Sequence, residues 1–315
     1  MITLHNGNSA EVLKQYPDNH FDSVVTDPPY GIEFLGRDWD NNTGAIEVWQ
    51  ECLRVLKPGG YLLAFGAPRT YHRLATNLED IGFEIKDSLM WLYGSGFPKA
   101  QDVGKRLDKK GIDNDFHGWK TALKPAHEPI IMCRKPTKLS TMDNMVKYGV
   151  GALNIDGSRV GDEKTITKIT KITNTENGVN MTGKFGSHND EYYNTERNKD
   201  KETTEVINVE NAGRFPSNVI GEVEGYQKYF YHPKVSRKER DMGESNNVHP
   251  TIKPVALMKY LVTLITPPNG KVLDPFNGSG STGMAVKEFG GEYVGIDLDE
   301  NYIEISRKRI NAYQQ

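Results

Sequence analysis

Apolar residues in the first third of the chain fall into short runs that alternate with stretches of helical spacing. Phe21-Asp22-Ser23-Val24-Val25 has the length of a buried strand, and it stops at Asp27-Pro28-Pro29 because prolines cannot donate to a sheet ladder. Ile46, Trp49, Leu53 and Leu56 recur at helical spacing, with Lys57-Pro58-Gly59-Gly60 expected to end that helix. Residues 61–65 then read as a buried strand, 71–80 as a helix and 83–91 as another strand. Such alternation predicts a parallel α/β sheet.

The middle has a different texture. Over residues 161–213 Thr, Asn, Lys, Glu and Gly dominate, and large apolar residues are few. The stretch Ile166-Thr167-Lys168-Ile169-Thr170-Lys171-Ile172-Thr173 repeats a three-residue unit, so its isoleucines follow neither the strand nor the helix period. This segment reads as an insertion, partly mobile, containing one hairpin and too poor in apolar residues to form a core alone. The α/β pattern then returns, with helices over 254–265, 281–289 and 300–312 and strands over 271–274 and 293–297. One α/β domain built from both ends of the chain, interrupted by a polar middle, accounts for the pattern.

The 315 residues are ample for a large core and correspond to about two domains at roughly 150 residues each. Lys and Arg total 39 against 42 Asp and Glu, a net charge of −3, which excludes a partner that needs a globally basic protein but leaves room for a local basic face. No apolar run approaches the ~18 residues that span a bilayer. The start, Met1-Ile2-Thr3-Leu4-His5-Asn6, lacks the basic-then-apolar pattern of a signal peptide, so a cytoplasmic location without membrane contact is expected. Two cysteines, Cys52 and Cys133, supply neither a disulfide framework nor a cysteine zinc site and are expected to be reduced core thiols.

The strand ending at Asp274 runs into Pro275-Phe276-Asn277-Gly278-Ser279-Gly280-Ser281-Thr282-Gly283, where Gly278, Gly280 and Gly283 satisfy G-x-G-x-x-G between a strand and a helix. Asp297 ends the next strand, the layout of a nucleotide-binding βαβ unit with its second acid on ribose hydroxyls. A dinucleotide would bring its pyrophosphate to the helix N-terminus. A carboxylate at Asp274 would repel that pyrophosphate but pair with the ammonium of S-adenosylmethionine, which has no phosphate. A nicotinamide dehydrogenase, a ligand-free strand-to-helix turn and a catalytically silent DNA-binding module are the competing readings.

Thr26-Asp27-Pro28-Pro29-Tyr30 closes the second strand. The prolines leave their carbonyls as pure acceptors. The Asp27 carboxylate and the Pro28 carbonyl can hold both N–H bonds of an exocyclic nucleobase amine and favour a pyramidal nitrogen whose lone pair faces a methyl donor. Tyr30 can stack on the base.

Together, Asp27-Pro28-Pro29-Tyr30 and Asp274-Pro275-Phe276-Asn277-Gly278-Ser279-Gly280 resemble the amino-methylating DNA methyltransferases, and the motif order resembles their permuted β group. The resemblance covers both ends of the chain. It implies a Rossmann-like class I methyltransferase fold, α/β with a mostly parallel sheet, circularly permuted motif order and an inserted target-recognition region. On that reading residues 1–135 are the catalytic half, 136–247 the recognition insertion and 248–315 the cofactor-binding half. It implies S-adenosylmethionine as cofactor, with contacts at Asn8, Asp27, Thr251, Lys253, Asp274, Phe276, Gly278, Gly280 and Asp297, and Asp27, Pro28, Pro29 and Tyr30 as catalytic residues. His249-Pro250-Thr251-Ile252-Lys253-Pro254 is similar to the family segment over the methionine carboxylate, and Gly7-Asn8 stands where the family usually has Gly-Asp. Residues 87–98, with Trp91 and Phe97, resemble the base-pocket strand and loop. Ala126-His127-Glu128-Pro129 is also similar to this group, and a zinc reading of His127-Glu128 fails because Ile131 stands where a second histidine is required. No metal is expected.

The partner implied is double-stranded DNA with its target base flipped out. Residues 226–240 carry Lys228, Lys234, Arg237, Lys238 and Arg240 among Tyr226, Tyr229, Phe230 and Tyr231, a mixture suited to a nucleic-acid strand. Arg214-Phe215-Pro216 and Lys105-Arg106 with Lys109-Lys110 are further candidates. Family members with Asp before Pro-Pro usually methylate adenine N6, so adenine is expected and cytosine N4 is the alternative. A homodimer and a cognate restriction enzyme are further partners that the resemblance admits.

Overall fold

The computed structural model describes residues 1–32, 40–93, 100–174, 178–181, 203–221 and 252–313, and within 162–211 the backbone alone. The strands are β1 (Ile2–Asn6), β2 (Phe21–Thr26), β3 (Leu56–Phe65), β4 (Glu84–Leu92), β5 (His127–Arg134), β6 (Val160–Asn174), β7 (Gly178–Met181), β8 (Thr203–Arg214), β9 (Val219–Gly221), β10 (Lys271–Asp274) and β11 (Glu292–Asp297). The helices used below are α1 (Ser9–Leu13), α2 (Ile46–Val55), α3 (Tyr71–Ile81), α4 (Val103–Asp108), α5 (Thr141–Tyr148), α6 (Val255–Ile265), α7 (Ser281–Phe289) and α8 (Glu300–Ala312).

Contacts divide the chain into two units, Met1–Ser158 with Ser217–Gln315, and Arg159–Pro216. The larger unit carries an eight-stranded sheet in the order β1-β11-β10-β2-β3-β5-β4-β9. Neighbours from β1 through β3 are parallel, as are β4 and β9, whereas β5 runs antiparallel to both β3 and β4, so the sheet is mostly parallel, as expected. Alternation along the strands feeds two cores. Val25 and Leu63 face a cluster with Leu261 of α6, Met284 of α7 and Ile310 of α8. Val24 and Leu62 face the opposite cluster with Leu13 of α1, Trp49 of α2 and Leu74 of α3. Both faces of the sheet are thereby covered, as a parallel sheet requires.

The order of strand succession, not strand direction, reverses between the parallel neighbours β10 and β2. The strand after β10 is its neighbour on one side, β11, and the strand after β2 is its neighbour on the other, β3. At such a switch point the loops leaving the carboxyl ends of the two strands part and open a crevice. Thr26 and Asp274 are the last residues of these strands.

Two local readings change. The helix at 46 ends at Val55, and Lys57-Pro58-Gly59-Gly60 lie inside β3, where the register to β2 jumps from Phe21↔Leu56 to Ser23↔Tyr61. A Pro and two Gly are tolerated there because the ladder is already irregular. The isoleucine repeat, which fits no period, is strand: β6 pairs antiparallel with β8 from Val160↔Arg214 to Thr173↔Thr203, and with β7. Ile and Thr are β-branched and favour extended backbone whatever their spacing. The compact second unit is narrower than 136–247. Residues 136–158 belong to the first unit, where Asn144 donates to the carbonyls of Pro58 at 2.9 Å and Val150 at 2.6 Å. Cys52 and Cys133 are buried and free. Among the described residues no helix is long and apolar enough to cross a membrane, and no group of three or more His, Cys, Asp or Glu could hold a metal ion.

Candidate active site

The two switch-point strands are stitched together at their ends, where Thr26 Oγ1 donates to Asp274 Oδ1 at 2.7 Å. The Phe276 amide donates to the same oxygen at 3.1 Å. Burial raises the Asp274 carboxyl to about 6, opposed by hydrogen bonds from Thr282, Thr26 and Phe276 and assisted by the negative charge of Asp27. Beyond it the loop is locked by its neighbours. Asn277 Oδ1 accepts from Tyr293 Oη at 2.9 Å, and the Gly278 amide donates to Asp297 Oδ2 at 2.7 Å. Arg309 of α8 reaches the Ser279 carbonyl at 2.5 Å. Gly280 has φ of +80° and lies against Ser306, so a side chain is excluded there on both counts. The turn ends at the N-terminus of α7, where the buried Ser281 hydroxyl lines the cleft and has no hydrogen-bond partner among the described residues.

The other wall is the Asp27–Tyr30 loop. Asp27 Oδ2 accepts from Lys253 Nζ at 2.5 Å and Oδ1 from Tyr30 Oη at 2.9 Å. Glu128, the second residue of β5, stands behind them, 3.0 Å from Tyr30 Oη and 3.4 Å from Lys253 Nζ. Burial works against the Lys253 ammonium, but the two carboxylates outweigh it and hold its pKa above the ordinary value. Burial, then Asp27 and Glu128, push the Tyr30 phenol well upward, so it stays protonated. Asp40 clamps the chain leaving this loop, accepting from the amides of Tyr30 (2.6 Å), Gly31 (3.0 Å) and Ile32 (3.3 Å).

Between the walls is a cleft of about 410 Å³. It gathers Asn8, Asp27, Pro28, Pro29, Tyr30, Lys253, Asp274, Phe276, Gly278 and Asp297, while Gly280 shapes the loop from behind. Asn8 also caps α1, its side-chain carbonyl accepting from Ala10 N at 2.9 Å, which leaves one lone pair for a ligand. Lys253, expected on the cofactor alone, is bound to Asp27. Trp91, expected at the base pocket, is 2% exposed and packs in the core with Phe65 and Tyr93, because its position in β4 points inward. Thr251, Phe97, Lys228, Lys234, Arg237 and Lys238 lie outside the described residues. Asp40 was not singled out from the sequence, and Glu128 was named only within the Ala126-His127-Glu128-Pro129 resemblance and the rejected zinc reading, without a role. The available signal for Glu128 was a carboxylate at the mouth of the apolar run Ile130-Ile131-Met132-Cys133.

The lining sets a charge preference. Asp27, Asp40, Asp274, Asp297 and Asp299 face one cation among the described lining residues, Lys253, and that cation is shared between two carboxylates. Such a cleft disfavours a pyrophosphate and suits a ligand with cationic groups.

Residues 21–308 match the family of N6/N4 DNA methylases. The chain is 25% identical to the type II methyltransferase M.HindIII of Haemophilus influenzae, over 98% of this chain and 94% of that protein. It is also 25% identical to the type II methyltransferase M.HpaI of Haemophilus parainfluenzae, over 97% and 73%. Among solved structures, the M1.HpyAVI complex with SAM superposes with a TM-score of 0.53 at 18% identity, over 99% of this chain and all of that one. The cytosine-N4-specific PvuII DNA methyltransferase gives 0.55 at 15% identity, over 98% and 86%. These structures share the fold, the class I methyltransferase architecture with its mixed, mostly parallel sheet. With the match running from the first residue of β2 into the last helix, the chain belongs to the N6/N4 DNA methylase family.

Proposed function

We propose that the protein is an S-adenosylmethionine-dependent, site-specific DNA methyltransferase that methylates the N6 amine of a flipped-out adenine. The observation that carries this reading is the opening of the Asp27 carboxylate and the Asp274–Ser281 loop onto one cleft. An amine acceptor and a methyl donor can meet there.

The residues fit the cofactor by charge and by shape. Asp274 would face its ammonium, Asp297 would accept from its ribose hydroxyls, and Asn8 would accept from its adenine amine. The unpartnered Ser281 hydroxyl, at the N-terminus of α7, would be a donor for its carboxylate. When bound, the cofactor supplies an electrophilic methyl group on a sulfonium. The protein's part is orientation. Asp27 and the Pro28 carbonyl hold the two amine hydrogens and turn the nitrogen lone pair toward the cleft. Tyr30, its hydroxyl tethered below, offers its ring to the base. Asp27 ahead of Pro28-Pro29 favours adenine over cytosine by the resemblance drawn above.

Residues 136–247 are the proposed recognition region, and the compact Arg159–Pro216 unit lies within it. Phosphate contacts are proposed at Lys228, Lys234, Arg237 and Lys238. A second basic face carries Lys105, Arg106, Lys109 and Lys110, with Phe116 and Trp119 (66% exposed) beside it in the chain. It lies in the connection that returns as β5, one residue before Glu128. A cytoplasmic location is proposed, with a homodimer and a cognate restriction enzyme as further proposed partners.

The test is incubation with S-adenosylmethionine and unmethylated duplex DNA, followed by mass spectrometry of the nucleosides. N6-methyladenine is expected. N4-methylcytosine in its place overturns the adenine assignment alone, and no methylated nucleoside from any duplex overturns the function.

A further inference from the structure

The Asp27 carboxylate is already engaged before any substrate arrives. Lys253 Nζ occupies Oδ2 at 2.5 Å and the Tyr30 hydroxyl occupies Oδ1 at 2.9 Å. An incoming amine must therefore share the oxygens that are to hold it with two donors already in place. The hydroxyl, however, has one proton and two carboxylates within reach, Asp27 Oδ1 at 2.9 Å and Glu128 Oε2 at 3.0 Å. It can donate to only one of them at a time. Lys253 donates to the hydroxyl oxygen at 3.0 Å and has Glu128 Oε2 at 3.4 Å, so its ammonium also has a second acceptor at hand.

We propose that Glu128 is a positioning residue for methyl transfer: it takes over the hydrogen bond of Tyr30 and part of the charge of Lys253 when the target amine engages Asp27. The inference rests on the function proposed above and adds a residue to it. Rotating one hydroxyl about its C–O bond frees an Asp27 oxygen without leaving a buried donor unsatisfied. Two carboxylates around one ammonium also leave the group a net −1, so Asp27 keeps negative charge for the amine after pairing with Lys253. Glu128 does not line the cleft, which separates it from the groups that touch substrate. It is itself held in place by a hydrogen bond with Tyr93.

The experiment is single-turnover methyl transfer by the full chain with saturating S-adenosylmethionine and duplex DNA. It compares wild type, Glu128→Gln, Tyr30→Phe and the double variant, with both affinities measured in parallel. Glu128→Gln is expected to slow transfer at least about tenfold, while DNA and cofactor affinities stay within about threefold. In the Tyr30→Phe background there is no hydroxyl to redirect, so the same substitution should cost at least about threefold less. Glu128→Asp, which keeps the charge, should recover part of the rate, and it replaces Glu128→Gln in the cycle if that variant melts early. Transfer by Glu128→Gln within threefold of wild type overturns the inference. So does an equal penalty in both backgrounds, or a loss confined to affinity. Absence of transfer by wild type itself overturns the function, whereas active wild type with an indifferent Glu128 overturns the positioning role alone.

Discussion

The two walls of the cleft are built by opposite means. The cofactor wall is local: its loop runs unbroken from Asp274 to Ser281, and the partner of the Gly278 amide, Asp297, is 19 residues away. The acceptor wall is assembled from afar. Glu128 is 98 residues from Tyr30, and Lys253 is 226 residues from Asp27, and all four groups meet around one buried ammonium. A loop shaped by glycine dihedrals and neighbouring amides tolerates the loss of one bond. A charge cluster does not tolerate the loss of its one cation, which leaves two carboxylates facing each other uncompensated.

That difference can be broken experimentally. Lys253→Met should have the largest effect, since Asp27 and Glu128 would then face each other without a cation. A loss of about 3–5 kcal/mol of stability is expected from denaturant titration, and a loss under 1 kcal/mol would make the two walls equivalent. Asp297→Ala should act on the ligand more than on the fold. Losing a charged acceptor should weaken S-adenosylmethionine binding by about 1.5–3 kcal/mol in calorimetry, and unchanged affinity would remove Asp297 from the cofactor wall. The pH-dependent effect concerns Asp274, whose carboxyl is raised from 3.8 to about 6 by burial. The folded state then holds this proton more tightly than the unfolded state. Between these two pH values its contribution to stability falls as pH rises, by at most about 1.4 kcal/mol per unit. Asp274→Asn should remove that component of the slope, and an identical stability–pH curve for the variant would show Asp274 to be ionised throughout.

The same contrast governs what could be read from the sequence. β10, α7 and α8 were legible nearly to the residue, because their apolar spacing and flanking glycines act within a few positions. Asp27–Tyr30 was legible because a carboxylate, two prolines and an aromatic are rare in succession. The place of Lys253 was not, since its bond to Asp27 depends on β2 and the chain before α6 meeting across the switch point. Asp40 and the role of Glu128 were missed for a related reason: an acid in sequence carries no record of the amides, hydroxyl or ammonium it will meet. The isoleucine repeat failed differently, because a period-three pattern is silent about a strand whose pairing, not its face, defines it.

The central claim is that Asp27 holds the reacting amine, and Asp27→Ala tests it most directly. The measurement is single-turnover methyl transfer at saturating cofactor and DNA, beside equilibrium DNA binding in the presence of a cofactor analogue. The pair of Lys253 with Glu128 remains in this variant, so the fold should persist. Transfer is expected to fall by about 10²–10³ while DNA affinity changes far less. Transfer within about threefold of wild type, a barrier change of roughly 0.7 kcal/mol, would contradict the claim.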